Sequence, residues 1–438
     1  MGARGGEKLP GGEPKRVKFN LTHKYVKVVK KIVIFGAGNI GRSLVGYLFS
    51  RAGYETVFID IDDRLVKALN EKRRYRIEIR GENPQTIWVE NVRAVHGRDV
   101  EKVAEEIASA DILATAVGVD NLKHIYGNIA RGLMKRFRAG KGPLDILICE
   151  NLRNSSKIFR EGLKKHLPAD YPLDAMVGLV ETCTGKMVPI MPEEQKRKDP
   201  LLIFAEAYSK LQVDKGAFKG ELPKVDGVEF VDNIKAYIDR KLFVHNLAHA
   251  STAYLAYITD PNMKYVWEAL QRDDIRWAVK SAMWESGNAL IKEYPREFNR
   301  ENMTKYIEDL IPRIASKALG DTLYRLGRDI QRKISRNDRL VGALLLDFKH
   351  HVPAPSTTLS IAAATLYRGR DEKGKLFEKD EFFAREIYPR GIDYIVTNVC
   401  GLDPEREQEL IRGIKDAYEF ISKNPKEWLR WLKNHVPS

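Results

Sequence analysis

The sequence predicts an α/β protein in which a doubly wound parallel sheet is followed by a mainly α-helical domain. Two observations predict it. Short apolar runs rich in β-branched residues alternate with helical patterns through the first half of the chain, as strands buried on both faces and joined by crossover helices do. Beyond about Val231 the apolar spacing becomes helical and stays so. At 438 residues the chain is long for one core. The expected units are a flexible extension rich in Gly, Pro, Lys and Arg at 1–24, a dinucleotide-binding domain at 25–230 and a helical substrate domain at 231–438.

The elements follow in order. Lys31-Ile-Val-Ile-Phe35 is a buried-type strand, followed by a glycine loop and a helical pattern over 40–52 that Gly53-Tyr54 ends. Glu55-Thr-Val-Phe-Ile-Asp60 is the second strand, with a helix over 64–72. Residues 75–79 and 86–94 read as strands with no helix between them, an antiparallel excursion. The alternation then resumes with a helix over 99–109, strands at 111–117 and 144–149, a helix over 154–167 and a strand at 175–180. The charged stretch 192–200, bounded by prolines, breaks the order. Helical patterns follow at 235–258, 264–293, 304–319, 321–334, 357–367 and 405–423.

The loop Gly36-Ala37-Gly38-Asn39-Ile40-Gly41 has the context that a G-x-G-x-x-G motif needs, since it leaves a strand and opens a helix. Gly36 permits the tight turn, Gly38 lets a pyrophosphate approach the backbone, and Gly41 lets helix and strand pack closely. The helix start offers free N–H groups to phosphates. This is a Rossmann-type dinucleotide site. Asp60 ends the second strand at the spacing of the acid that binds the adenosine ribose, which favours NAD over NADP. Arg64 reads either as a group that serves a 2′-phosphate or as a solvated helix charge.

Composition narrows the remaining classes. The net charge is +14, but Lys and Arg are interspersed with Asp and Glu. No basic stretch is interleaved with aromatics, so the pattern is not that of a nucleic-acid reader. Cys149, Cys183 and Cys400 lack metal-site spacing and read as packed, reduced thiols. No apolar run is long enough for a membrane span, and the N-terminus lacks the apolar core of a secretory signal. A cytoplasmic protein is expected.

A dinucleotide enzyme that transfers hydride needs a base for the hydroxyl proton and donors for the developing oxyanion. Asn151 follows the strand ending at Cys149 and so falls at the ligand edge of the sheet; it reads equally as an Asx turn or helix cap. In Lys241-Leu-Phe-Val-His-Asn246-Leu-Ala-His249 the rest of the helix is apolar. At about 100° per residue, Lys241, Asn246 and His249 share a sector of about 140°. A buried lysine is rare unless paired or functional, and desolvation lowers its pKa toward that of a working base. The spacing alone leaves open a lysine that snorkels beside a satisfied core histidine. His245 falls in the same sector and reads as packing or support.

Lys241-x4-Asn246-x2-His249 resembles the signature of the polyol-specific long-chain dehydrogenase/reductase (mannitol dehydrogenase) family. Further segments resemble it from Lys31 to about Ile421: Phe35-Gly-Ala-Gly-Asn-Ile-Gly-Arg42, Ala114-Thr-Ala-Val-Gly118, Cys149-Glu-Asn151, Arg240-Lys-Leu-Phe243, Gly327-Arg-Asp-Ile-Gln-Arg-Lys333 and Asp338-Arg-Leu340. The resemblance implies NAD-dependent catalysis without a metal. It implies Lys241 as general base, Asn151 and Asn246 as alkoxide donors, and His249 as the group that orients the reacting oxygen. Ala116 and Val117 would join the glycine loop and Asp60 at the cofactor.

The substrate implied is a sugar or polyol phosphate, with interconversion of mannitol 1-phosphate and fructose 6-phosphate. An unphosphorylated polyol, ketose or hexuronate is the alternative. A monomer or homodimer, with no nucleic-acid or membrane partner, is expected. The chain departs from the family pattern at Gly185-Lys186, where an acidic-basic pair is usual, and at Ile330 and Ala343, where prolines are frequent. Arg328 and Arg332 lie about one turn apart, with Lys333 adjacent, and suit charge-assisted bonds to a phosphate. The same segment also reads as a solvated face with an Asp329–Lys333 pair. Arg339 and Lys186 are further phosphate candidates.

Overall fold

The computed structural model describes residues 29–436, so the extension expected at 1–24 lies outside the described residues. The strands are β1 (Lys31–Phe35), β2 (Glu55–Asp60), β3 (Arg74–Ile79), β4 (Gln85–Glu90), β5 (Val92–His96), β6 (Ile112–Thr115), β7 (Leu144–Ile148), β8 (Val177–Thr184), β9 (Ile203–Ala205), β10 (Leu211–Asp214) and β11 (Val228–Val231). Eight of them form one sheet in the order β11-β10-β8-β7-β6-β1-β2-β5. Neighbours from β8 to β5 are parallel, and β10 runs antiparallel to β8. The chain winds outward from β1 through β2 to β5, then returns through β6 to β8. The reversal falls between β1 and β6, and ligands of open α/β sheets bind outside the carboxyl ends at such a point.

Period-2 alternation explains why the sheet is covered on both faces. Val33 and Phe35 of β1 face the core under helices Val100–Ser109, Leu122–Arg138 and Ser155–Lys164. Ile32 and Ile34 face the opposite core, with Leu44, Phe49 and Tyr75. The helix Leu122–Arg138 adds to the expected elements; Leu122, Ile125, Ile129 and Leu133 give it a buried stripe.

The stretch 86–94 is not one strand. It divides into β4 and β5 at Asn91, whose φ of 55° lies in the left-handed region that Asn tolerates. β4 pairs antiparallel with β3 in a small sheet completed by β9, whereas β5 joins the main sheet beside β2.

The second half packs around one continuous helical path: Ile234–Arg240, a π-helical turn Lys241–Asn246, and Leu247–Thr259. Ala248, Ala253, Tyr254 and Leu255 are fully buried, so helices such as Asp273–Glu293, Val341–Lys349 and Pro355–Leu366 can surround it. The pattern over 264–293 is two helices, because Arg272 is extended between Val266–Gln271 and Asp273–Glu293. No helix among the described residues is long and apolar enough to cross a membrane.

The halves meet through charged contacts. Arg313, on helix Arg300–Ile314, forms a two-pronged bond to Glu206 just after β9, at 2.8 Å on each prong, and also donates to the Gly185 carbonyl at 2.9 Å. Glu206 is 7% exposed. Glu206→Ala leaves Arg313 with Asp309, on its own helix, as its acidic partner, and leaves the buried Met187 amide without its acceptor. We expect a loss of about 3 kcal/mol of unfolding free energy, read as a lower urea midpoint at unchanged slope.

Candidate active site

Between the carboxyl ends of β1, β6 and β7 and the central helical path lies a cleft of about 740 Å³, bordered by Asn39, Val117, Asn151, Lys241, His249 and Arg328. A second lobe of about 500 Å³ shares Asn151, Lys241, Asn246 and Arg339 with it.

On the sheet side, close backbone contacts explain two of the loop's glycines, Gly36 and Gly41. Gly36 has φ +93°, and a Cβ there would meet the Ala116 carbonyl oxygen at 2.5 Å. A Cβ on Gly41 would lie 2.0 Å from the Gly36 oxygen. Nothing lies within 4 Å of a Cβ placed on Gly38, so that face of the loop is open. The helix it opens begins as a π-helical turn, Gly41–Gly46, rather than as a regular α-helix. The amides of Gly38, Asn39 and Ile40 donate to no described carbonyl. Arg42 is buried and gives its guanidinium to the carbonyls of Ala37, Pro200 and Leu201, so it braces the loop from behind.

Asp60 caps the end of β2. Its Oδ2 accepts from the Ala37 amide at 2.7 Å and its Oδ1 from Ile61 and Asp62, which fixes the carboxylate beside the loop. Arg64 is largely exposed and approaches Asp62 at 3.9 Å. Ala116 and Val117 line the cleft next to Asn39 and Ile40.

One residue that motif reading did not single out holds this wall in shape. Glu150, 6% exposed, accepts from the Thr115 hydroxyl at 2.6 Å and the Val117 amide at 3.0 Å. Burial pushes its carboxyl pKa up, and these hydrogen bonds oppose the rise. The available signal was an acid at the end of an otherwise apolar strand.

Lys241 and Asn151, 90 positions apart, meet across the cleft, with Nζ donating to Asn151 Oδ1 at 2.9 Å. Burial lowers the Lys241 pKa; nearby Cys183 opposes this and Arg339 adds to it. Part of the side chain still reaches the cleft. Asn246, one π turn along, is 7% exposed. His249 lies at the cleft surface, edge-on to His245 with ring centroids 4.7 Å apart. Burial brings its pKa down to about 3, helped by Arg325, Arg339, Lys333 and Lys241.

The five cations considered for a phosphate all line this cleft, in different states. Arg332 is held by Asp329 at 2.5 Å and Asp338 at 3.2 Å. Lys333 is buried and donates to the carbonyls of Leu326 and Arg328. It therefore closes a helix end and forms no Asp329 pair. Lys186 donates to the carbonyls of Glu206 and Tyr208 and to the Ser209 hydroxyl, and burial brings its pKa down to about 8.

Arg339 uses Nε on Asp338 at 2.7 Å, and its Nη atoms meet no described acceptor. Arg328 stands over the rings of Tyr324 and Phe377 without an acidic partner among the described residues. Arg325, absent from the sequence-based candidates, also lines the cleft and is bonded to Asp321. At position 330, where the family favours proline, the Ile330 amide donates to Asp380 at 2.8 Å, a bond that proline lacks.

Comparison with known proteins agrees with this architecture. The mannitol dehydrogenase Rossmann domain model matches residues 30–227, and the mannitol dehydrogenase C-terminal domain model matches 233–421. A mannitol-1-phosphate 5-dehydrogenase of Brevibacillus brevis is 37% identical over 76% of this chain and 85% of its own length. The enzyme of that name from Caldanaerobacter subterraneus is 34% identical over 89% of this chain and 97% of its own. In fold, the chain is similar to Pseudomonas fluorescens mannitol 2-dehydrogenase, solved with NAD and D-mannitol. The TM-score is 0.74 at 15% identity, over 94% of this chain and 95% of that one. A D-sorbitol dehydrogenase matches with TM-score 0.75 at 16% identity, over 92% and 95%. The chain therefore belongs to the mannitol dehydrogenase family.

Proposed function

We propose that this chain is an NAD-dependent oxidoreductase that interconverts mannitol 1-phosphate and fructose 6-phosphate. The observation that carries the chemistry is the Lys241–Asn151 contact at the cleft floor. The relatives named for that reaction support the substrate. The open face at Gly38, the free amides of the loop and the fixed Asp60 carboxylate suit a dinucleotide's pyrophosphate and ribose. When bound, NAD supplies the carbon that accepts or returns the hydride.

In the oxidative direction, neutral Lys241 takes the proton from the substrate's C5 hydroxyl as the C5–H electron pair leaves as hydride. In reduction the ammonium returns that proton to the oxygen formed at C5. Asn151 spends its Oδ1 on Lys241, which leaves its amide NH₂ to donate to the reacting oxygen. Asn246 adds a second neutral donor, and such donors act where charge develops. His249, with a pKa of about 3, stays neutral at working pH and orients the oxygen by hydrogen bonding. Arg339 and Arg328, whose guanidinium groups retain free donors, hold the phosphate.

Fructose 6-phosphate, fructose, fructuronate and tagaturonate, each offered with NADH, test the substrate. The phosphorylated ketose should be turned over fastest; turnover of a free sugar alone overturns the assignment. Arg339→Leu should raise KM for fructose 6-phosphate about tenfold to a hundredfold, the worth of one charged hydrogen-bonded contact.

Lys241→Ala should cut turnover by about 10²–10⁴-fold while NADH still binds, checked by stopped-flow rates and fluorescence titration. Retained turnover overturns the role of Lys241. The pH dependence follows from the direction of the Lys241 shift. Its lowered pKa makes the neutral base available below the ordinary lysine range of about 10.4. Oxidative kcat should therefore climb with pH through that lowered value, and reductive kcat should fall through it. No limb near the ordinary histidine value should come from His249, which is already neutral there.

A further inference from the structure

The Asn151–Lys241 contact is made by two segments that a second pair of side chains also joins. Arg153 follows Asn151 by two residues, and Asp239 precedes Lys241 by two. Arg153 Nη2 donates to Asp239 Oδ1 at 2.6 Å. Its Nη1 donates at 3.2 Å to the carbonyl of Asn337, in the turn that leads to Arg339. The guanidinium also lies 5.5 Å from the centre of the Phe243 ring. One side chain thus touches the loop of Asn151, the helix of Lys241 and the turn of Arg339.

Asp239 is built to receive it. The carboxylate is 3% exposed. Its Oδ2 is engaged by Lys235 at 2.6 Å and by the Tyr294 hydroxyl at 2.6 Å, which leaves Oδ1 to Arg153. Two partners on one oxygen stop the carboxylate from rotating and aim the other at the facing half of the molecule. Two residues along a helix are about 200° of rotation. Asn151 and Arg153 therefore grip the catalytic helix from two sides, which a single contact cannot do.

We infer that Arg153 and Asp239 form a clamp between the two halves that positions Asn151 against Lys241. This rests on the reading of Lys241 as the base. Neither residue touches the reacting atoms; both act as positioning residues. A displacement of about 1 Å in a reacting geometry can cost about a hundredfold in rate. Loss of the clamp should therefore appear in kcat before it appears in stability or cofactor binding.

The test compares Arg153→Met, Arg153→Lys, Asp239→Asn, the Arg153→Met/Asp239→Asn double variant and Lys235→Met. Fructose 6-phosphate reduction, NADH affinity and Tm are measured for each, with Lys241→Ala in parallel. Arg153→Met should lower kcat about 10-fold to 100-fold, with NADH affinity within twofold and Tm within a few degrees. Arg153→Lys should recover part of the loss, because an ammonium keeps the charge but not the planar fork. The double variant should be no worse than the poorer single one, as for two halves of one device. Lys235→Met removes one of the two partners of Asp239 Oδ2 and leaves the Tyr294 hydroxyl to hold it, so it should lower kcat less than Arg153→Met does.

Wild-type kcat in Arg153→Met, or losses that multiply in the double variant, overturns the clamp. If Lys241→Ala is inactive while Arg153→Met is unimpaired, the clamp alone fails. If Lys241→Ala retains turnover, the catalytic reading itself fails.

Discussion

Everything at this site depends on one constraint: Lys241 and its partner amide, Asn151, belong to different halves of the chain. Asn151 sits beyond β7, and Lys241 sits on the helical path, 90 residues later. Neither half alone contains the pair. The interface must therefore be defined to a fraction of an ångström, although charged contacts are a poor source of net stability. What such contacts supply is direction. The Arg313–Glu206 fork and the Arg153–Asp239 bond are both directional, and both lie beside cleft residues, Lys186 in the first case and Lys241 in the second. An apolar interface would bury more area for the same stabilisation, but it would resist sliding less.

The same logic sorts the basic residues of the cleft. Lys186 and Lys333 in the cleft, and Arg42 behind the glycine loop, place their charge on backbone carbonyls, which satisfies hydrogen bonds but supplies no counter-charge. Burial therefore lowers the pKa of each. Arg332 has two acids and its pKa moves the other way. Charge that is structural and charge that is available to a ligand thus sit side by side. The arginines with free donors, Arg328 and Arg339, stand out by what they lack. Crowding by this cationic wall adds to burial in keeping His249 neutral. In the proposed mechanism the imidazole then acts as a dipole and the proton passes through Lys241.

Much of this was legible in the sequence because it rests on local rules. The glycine loop, Asp60 and the alternation of strands and helices follow from spacing, and the steric contacts of Gly36 and Gly41 give the physical reason for the loop. The Lys-x4-Asn-x2-His spacing placed one face of a buried helix opposite the sheet. What was not legible depends on acceptors distant in sequence. Lys186 finds carbonyls about 20 residues on, and Arg153 finds Asp239 86 residues on. Glu150 is a lone acid in an apolar run until Thr115 and Val117 are folded beside it. Nor does the pattern over 86–94 reveal that Asn91 turns the chain from one sheet into another.

The winding of the catalytic helix is the least legible feature. At 100° per residue, Lys241 and Asn246 are separated by about 140° around a regular α-helix. The chain instead takes a π turn over Lys241–Asn246. Bonds of i→i+5 type give each residue a smaller rotation, so the fifth residue on lies nearer the first in angle than it would on a regular α-helix. Lys241 and Asn246 thereby come nearer to one face of the helix, and both border the cleft, as does His249 in the next turn. A second π turn, Gly41–Gly46, opens the helix after the glycine loop on the opposite wall. Each π turn accommodates one extra residue at the cost of poorer local geometry. That cost is tolerable where tertiary packing overdetermines the helix: Gly41–Gly46 is buried throughout, and Phe243, Val244, His245 and Asn246 are buried in the other turn. The side chains were therefore chosen for a winding that no periodicity in the sequence announces.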